Sequence, residues 1–325
     1  VTTSITPDFA AVVELARLAP SVHNTQPWRF SADGDVLSLR ADESRRLQVL
    51  DPEARQQTIS CGAALFLARL GLRLQGFDPV VDLSGSTEGV IGAKVTATPG
   101  PPATSDELAL GRAARERHTQ RAPFDQRAVA DSVVHDLRDA VQPEGAWVRF
   151  LVSTAEQIPV AVLLAHADDI ETADPAYREE LAGWTSRPTE AHDGLTAEAT
   201  DLGPPVRGTD LRLRDFAVGA AADQVSTTPD EPPAVEHPLL AVVGTPDDAP
   251  TDWLLAGQAV CALLLRAQLH GVQASPLGQV LDQPWSRRRL AGELGLVGHP
   301  QMVLRMGYAQ PGPATPRRPV DDLMR

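Results

Sequence analysis

The chain reads twice, and that constrains its fold more than any other feature. Two long apolar segments with helical character, at about 56–75 and in "WLLAGQAVCALLLRAQLHG", carry glycines at matching spacing. Gly62 and Gly76 are 14 apart, and so are Gly257 and Gly271, with apolar residues throughout between them. The elements around each segment follow the same order of helix, strand, long helix and strand. In the first half, Thr6 can cap a helix, and Pro7 suits its first position because its missing donor would be orphaned there anyway. Phe9, Val12, Val13 and Ala16 share one face, and Pro20 disfavours helical geometry at Ala19. Short strands are expected near 28–31 and 36–40, and another near 90–98 after the long helix. In the second half, Asp131 is a candidate cap, followed by an apolar stripe of Val133, Val134, Leu137, Ala140 and Val141. "WVRF" (147–150) opens a strand as "WRF" (28–30) does, and "HPLLAVVGT" and "PQMVLRMGYA" read as strands. Two helices of an α/β protein can look alike by accident, but an ordered match of four elements favours internal duplication. The halves fall at 1–104 and 105–325.

Between them "TPGPPATSDE" (98–107) is a Pro-rich linker entering a helix, with Thr104 and Glu107 spaced as a capping box. The second half holds an insertion at about 174–236 in which Pro, Gly and acidic residues dominate. A stretch this long with little regular pattern reads as a functional lid or as partly disordered. The two apolar runs are interrupted by Arg69 and Arg73, and by Gln258, Arg266 and Gln268, so neither supplies the roughly 20 apolar residues that cross a bilayer. The N-terminus lacks a basic-then-apolar leader, and two cysteines, Cys61 and Cys261, form neither a disulfide framework nor a metal-ligand spacing. A cytoplasmic protein is expected. A net charge of −14 disfavours nucleic acid and anionic membrane as partners, so any phosphate must be held by a local cluster of donors.

Four short elements could carry chemistry. In "RERHTQRAPF", Arg117, Thr119 and Arg121 alternate, so an extended backbone places them on one face and His118 on the other. Two planar guanidinium forks and a hydroxyl suit a phosphate or an anionic ring edge; a solvated helix end is the plainer alternative. "ASPLGQV" (274–280) has Pro276 and Gly278 around Leu277, a turn whose backbone N–H groups can approach a ligand closely. "TPRRPVDD" places Arg317 and Arg318 between prolines, or forms a frayed basic tail. "LARLAPSVHNTQPWRF" supplies Ser21, Asn24 and Gln26 after a helix end, and Asn24 is the only asparagine in the chain. No HExxH-like pair, GxSxG or GxGxxG is present, which disfavours a metal-dependent hydrolase, a serine hydrolase and a Rossmann fold, and no metal is expected.

Taken together, "APSVHNTQPWRF", "RHTQRAPF", "SPLGQV" and "HPQMVLRMGYAQPGPATPRRPVDDL" resemble the FMN-dependent nitroreductase family. The duplicated single-chain layout resembles its Acg-type branch from mycobacteria and related actinomycetes. The resemblance spans nearly the whole chain, with only the insertion loosely matched. It implies an α+β fold with mixed sheets flanked by helices, and flavin at the interface of two halves. It further implies that Arg117, His118, Thr119 and Arg121 hold the ribityl phosphate and pyrimidine edge. The turn Ser275, Pro276, Leu277 and Gly278 would donate toward flavin N5 from Leu277 or Gly278. Arg317 and Arg318 would bind phosphate, and the run Pro20, Ser21, Val22, Asn24 and Gln26 would reach over from the other half.

The first copy begins "VTTSIT" without Arg-x-Thr-x-Arg and has "FDPVVDL" in place of the Pro-Leu-Gly turn. The second keeps both elements but reads "VQPEGAW" where Ser-x-x-Asn would stand. The copies are complementary halves of one site, which predicts one FMN per chain in a monomeric pseudodimer. The resemblance implies an NAD(P)H-dependent oxidoreductase reducing a nitroaromatic, a quinone or a similar small flat acceptor, with flavin carrying the chemistry and no catalytic side chain named. Two departures support an alternative, FMN sequestration with little turnover. Leu277 stands where typical members have an acidic residue, and the insertion is placed to cover the flavin.

Overall fold

A computed structural model describes residues 6–84, 92–185, 187–200, 207–208, 211, 213–214, 216 and 234–324. The first half runs α1 (Phe9–Ala16), β1 (Trp28–Asp33), β2 (Val36–Ala41), α2 (Arg55–Leu74), β3 (Phe77–Asp82) and β4 (Gly92–Pro99). The second begins with α3 (Ser105–Glu116), α4 (Asp131–Val141) and β5 (Trp147–Leu151). After it come α5 (Thr154–Ala173), α6 (Pro175–Trp184), α7 (Ala197–Thr200) and the short strands β6 (Arg207–Gly208) and β7 (Ala234–Val235). The core then resumes with β8 (Leu239–Thr245), α8 (Pro250–Leu269), β9 (Gln273–Pro276), α9 (Gln279–Asp282), α10 (Pro284–Glu293), β10 (His299–Gly307) and α11 (Val320–Leu323).

The two four-stranded sheets share one topology. Their orders are β1-β2-β4-β3 and β5-β8-β10-β9, antiparallel throughout, so each strand of one has its counterpart in the other. Parallel pairing enters at the sheet edges, through the bridges Phe30–Met324 and Thr119–Ala274, and in the short β6–β7 pair. The helices α2 and α8 are both 20 residues long, and each ends at a left-handed glycine, Gly76 at φ +82 and Gly271 at φ +69.

These two helices cross at Gly62 and Gly257. A Cβ on Gly62 would lie 2.2 Å from the Leu254 carbonyl oxygen, and one on Gly257 would lie 2.0 Å from that of Ile59. Each glycine therefore meets the carbonyl three residues before the other, an isologous contact about a pseudo-two-fold axis. Only glycine lets two backbones approach this closely. A core of α1, α2 and β1–β4 residues extends through Leu254, Cys261 and Leu265 of α8, so the halves share apolar interior. The chain's tail crosses as well: Leu323 is buried in the first half's core, and Met324 bridges to Phe30.

Several local expectations need correction. Helix α1 starts at Phe9 with Asp8 as its cap, the carboxylate accepting from Ala11 N, rather than with Thr6. Asp131 is the first residue of α4 and Ala130 occupies the cap position. Strand β3 was not expected; it tolerates Pro79 because it is an edge strand and needs one fewer donor. The segment between β5 and β8 is longer and more regular than the expected 174–236 insertion. It already includes α5, whose start has a full capping box of Ser153 and Glu156, and α6, capped by Asp174 with Pro175 at its first position. Residues 186, 201–206, 209–210, 212, 215 and 217–233 of that insertion lie outside the described residues. The capping box of Thr104 and Glu107 on α3 forms as expected. No helix among the described residues is long and apolar enough to cross a membrane.

Candidate functional site

A cleft of about 1300 Å³, its mouth included, lies between the halves. Its floor is the paired long helices. Gln56, Ile59, Ser60 and Ala63 of α2 recur at helical spacing, and Val260 and Leu264 of α8 lie beside them. Glycine contact between the helices sets the width of that floor.

One wall is the strip after α3. The helix stops at Glu116, and Arg117 is already extended at φ −71, ψ 125. Gln120 N then donates to Ala274 O at 3.0 Å, which holds the strip along β9. The expected alternation follows, with Arg117, Thr119 and Arg121 lining the cleft. His118 does not line it; it faces the other way, half-buried, as the period of two dictates. Arg117 is only 7% exposed, which rules out a solvated helix end.

The three guanidiniums of Arg117, Arg121 and Arg317 share this cleft, and among the described residues none pairs with a carboxylate. Burial lowers the pKa of Arg117. Burial, and then Arg117, brings Arg121 to about 10, while its Nη1 donates to Ala199 O at 3.0 Å. Arg317 is lowered furthest, to about 9, by burial and then by the charges of Arg117, Arg17 and Arg121. Its Nη1 donates to Asn24 Oδ1 at 3.0 Å and to the Thr315 hydroxyl, while its buried Nε has no partner among the described residues. Crowded cations that depress one another's protonation are stabilised by an anion.

The turn after β9 forms another wall, with Ser275, Pro276, Leu277 and Gly278 all at the cleft. Leu277 N donates to Val303 O at 2.8 Å and its side chain is buried in the core, so that amide is committed. Pro276 has no N–H, and among the described residues Gly278 N has no acceptor, so it is the donor of this turn open to a ligand. Asp282 also lines the cleft, one helical turn beyond Gly278, and its carboxylate accepts from Arg214 Nη2 and Gln56 Nε2.

Pro20, Ser21, Val22 and Asn24 of the first half also line the cleft. His23, Asn24 and Gln26 all have positive φ, of 45, 55 and 48, a left-handed run costly for non-glycine residues. Hydrogen bonds hold it. Ser21 Oγ accepts from Gln26 N, and Ser60 Oγ accepts from Val22 N. Asn24 Nδ2 donates to Gly194 O at 2.8 Å and Pro316 O at 3.0 Å while its Oδ1 accepts from Arg317. The lone asparagine thus joins the insertion, the tail and the first half, and it orients Arg317 from the side.

Gln26 and Arg318 do not reach the cleft. Gln26 is fully buried; its Nε2 donates to His192 O and its Oε1 accepts from Arg318 N. Arg318 alternates away from Arg317, donating to Gln26 O and Asp322 O within 4.0 Å of Asp42. Both brace the tail.

Sequence reasoning missed His23, the α2 face and the individual residues of the roof, although the insertion itself was expected to cover the site. Gln56 and Ser60, two polar residues one turn apart on an apolar helix, were the readable signal for the second. The roof is built by Leu195, Leu213, Arg214 and Phe216 of the insertion. Arg214 is bolted to Asp282 at 2.9 Å and Glu171 at 3.3 Å and donates to the Tyr177 hydroxyl. Burial raises Glu171 to about 7, against the pull of Arg214. Burial and the charges of Arg214 and Arg121 hold the His23 imidazole well below its usual pKa, hence neutral. The insertion docks on the first half: Glu180 accepts from Val49 N and Leu50 N, and Arg45 pairs with Asp193 at 2.7 Å.

The pseudo-two-fold axis relates this cleft to a second position. Aligning Gly62 with Gly257 pairs Ala63 with Gln258 and Leu264 with Arg69, and the turn Val22–Asn24 corresponds to Gln142–Glu144. At that second position Arg69 Nη1 donates to Glu144 Oε2 at 2.5 Å and to Gln258 Oε1 at 2.7 Å.

No family model matches the sequence. A protein of Mycobacterium tuberculosis provisionally named NAD(P)H nitroreductase Rv3131 is 30% identical over 322 residues, covering 96% of this chain and 90% of its own length. The chain belongs to the nitroreductase family. A second relative from M. tuberculosis, provisionally named NAD(P)H nitroreductase acg, is 28% identical over 334 residues, 99% of this chain and 96% of its own. Among solved nitroreductases, the FMN-bound protein of Desulfitobacterium hafniense matches at 14% identity and a TM-score of 0.39, covering 66% of this chain and 95% of that one.

Proposed function

We propose that the cleft holds one FMN per chain and that the protein is an NAD(P)H-dependent oxidoreductase acting on a small flat acceptor such as a nitroaromatic or a quinone. The observation that carries this reading is the convergence of Arg117, Arg121 and Arg317, without a carboxylate partner among the described residues, beside an apolar helical floor. FMN makes both demands at once, with an anionic phosphate and a flat apolar ring that has a polar edge. The residues fit the group. Among the described residues Arg317 Nε is buried without a partner and Gly278 N has no acceptor, and Thr119 lines the cleft with Arg117 and Arg121. When bound, FMN supplies the two-electron chemistry that the side chains lack.

The chain's own work is binding and environment. The three arginines neutralise phosphate and place positive charge at the ring's polar edge, where fixed dipoles and charges are worth most in a water-poor site. Gly278 N–H offers a donor at close range because no side chain intervenes. Ile59, Ala63, Val260 and Leu264 exclude water below the ligand, and the insertion's roof does so above it. Asn24 fixes the direction of Arg317. The net charge of −14 disfavours nucleic acid and anionic membrane as partners.

The test is the purified protein's absorbance and flavin content, followed by anaerobic mixing with NADPH and NADH. A yellow protein with one FMN per chain that bleaches rapidly is expected. One flavin per two chains, or two per chain, would sink the single-site reading, and a colourless protein that cannot be reconstituted would sink the cofactor itself. A second reading, FMN sequestration, is favoured by one observation: the roof residue Arg214 is tied by Asp282, Glu171 and Tyr177. Flavin reducible by dithionite and not by either nicotinamide would select it.

A further inference from the structure

Arg305 has no side-chain exposure, and neither has its partner Glu236. Arg305 Nη1 donates to both carboxylate oxygens of Glu236 at 2.9 Å. Its Nη2 donates to Arg121 O at 2.5 Å and Ala122 O at 3.0 Å, and its guanidinium lies over the Phe124 ring at 4.6 Å from the centroid. Glu236 Oε2 accepts in turn from Phe124 N at 2.7 Å. A fully buried ion pair is a costly way to join two segments, because desolvation offsets much of the attraction. This one spends its donors and acceptors on the backbone of a single short stretch, residues 121–124.

That stretch has other ties in its side chains and beyond its end: Arg121 Nη1 donates to Ala199 O, the Phe124 ring is buried, and Asp125 N donates to Tyr308 O, while Arg305 and Glu236 hold its backbone from 121 to 124. It lies between the end of α3 and the start of α4, with no regular structure of its own. The strip's pairing to β9 stops at Gln120, one residue before Arg121. Arg305 meanwhile sits in β10 directly opposite Ser275, the residue that opens the Pro276–Gly278 turn. Glu236 is where the insertion returns to the core, three residues before β8.

We infer that the buried Arg305–Glu236 pair is a positioning device for Arg121: it anchors that residue's carbonyl to the strand carrying the Gly278 turn and to the end of the insertion. Neither residue touches the cleft, so both act through Arg121. A guanidinium suits the task because its planar fork serves a carboxylate and two carbonyls at once, which an ammonium cannot. The inference rests on FMN as the ligand of the cleft.

The test is a mutant cycle on FMN dissociation constants, read by flavin fluorescence quenching, with thermal melts of each apo protein alongside. Arg305→Met combined with Glu236→Leu removes the pair without leaving a buried charge, which keeps the fold accessible. This paired variant is expected to weaken FMN about tenfold in the wild-type background and to have no further effect when Arg121→Ala is already present, as coupled residues do. The same tenfold loss in both backgrounds would show a general structural role and overturn the inference. Unchanged FMN affinity in the paired variant would also overturn it. Should that variant not fold, Glu236→Gln and Arg305→Lys carry the same cycle, with smaller losses confined to the background that has Arg121. Failure of the wild-type protein to bind FMN removes the cofactor reading itself; normal wild-type binding with additive losses removes only the positioning role.

Discussion

The two ends of the α2–α8 pair sit beside sheets of the same strand order and differ in what fills them. At one end Ala63 and Leu264 line an open cleft, and Asn24 steadies Arg317. At the other the equivalent residues are Gln258, Arg69 and Glu144, and they bond to each other. In a symmetric homodimer each substitution appears on both sides of the axis. On a single chain, one side can change alone. The difference lies in small changes of size and polarity. Where a short or apolar side chain leaves room, a ligand fits; where a long polar one reaches across, the protein provides its own partner.

Breaking the shared element should erase the comparison. Gly62→Ala and Gly257→Ala each place a Cβ near 2 Å from a carbonyl oxygen, on opposite sides of the axis. Each is expected to cost about 3 kcal/mol, at the upper end of overpacking penalties, with similar losses in the denaturation midpoint. A clear inequality between the two would deny the pseudo-symmetry.

The next largest effect separates the ends. Arg117→Ala should weaken FMN about a hundredfold, the loss of a charged hydrogen-bond donor worth roughly 2.7 kcal/mol. Arg69→Ala should leave FMN affinity unchanged and lower only the melting temperature, since its guanidinium serves Glu144 and Gln258. Titration of both proteins with FMN checks the contrast.

Asn24→Ala should weaken FMN by about fivefold without unfolding the protein, because Arg317 loses a neutral acceptor worth about 1 kcal/mol while its other contacts persist. An unchanged affinity would reduce Asn24 to a turn residue.

A pH titration should produce a milder loss. Arg317 and Arg121 hold an anion only while protonated, and their pKa values are lowered to about 9 and about 10. FMN affinity should therefore stay level at neutral pH and decline as the pH rises through that window, with some delay because the bound anion favours the protonated forms. The smallest expected effect is on stoichiometry. Arg69→Leu, Glu144→Asn and Gln258→Ala together give the closed end the residues of the open one, yet flavin should remain at one per chain. Among the described residues no Arg-x-Thr-x-Arg strip stands at the closed end.

Much of the fold was legible because periodicity and glycine report on backbone geometry. The matched glycine spacings and apolar stripes announced the two long helices before any contact was known. Strand β3 was less visible, since Pro79 argues against a strand unless its edge position is known. Helices α5 and α6 were obscured by the insertion's overall composition, although Ser153–Glu156 and Asp174–Pro175 are readable helix starts.

At the site, alternation placed Arg117, Thr119 and Arg121 on the cleft side and His118 away from it. The same alternation separates Arg317 from Arg318, but nothing in "PRRP" says which faces inward. Gln26 looked like a ligand donor and is a buried brace, because its partners lie 166 and 292 residues away along the chain. Arg305 and Glu236 left no sequence signal, being single charges in otherwise ordinary stretches.

The crossing of the tail into the first half has a consequence for dosage. Both walls of the cleft belong to one polypeptide, so its assembly is a first-order event that does not depend on how much protein is present. Dilution, which empties a site shared between separate subunits by mass action, is expected to leave this one intact. A cell that makes very few copies would still have every copy complete.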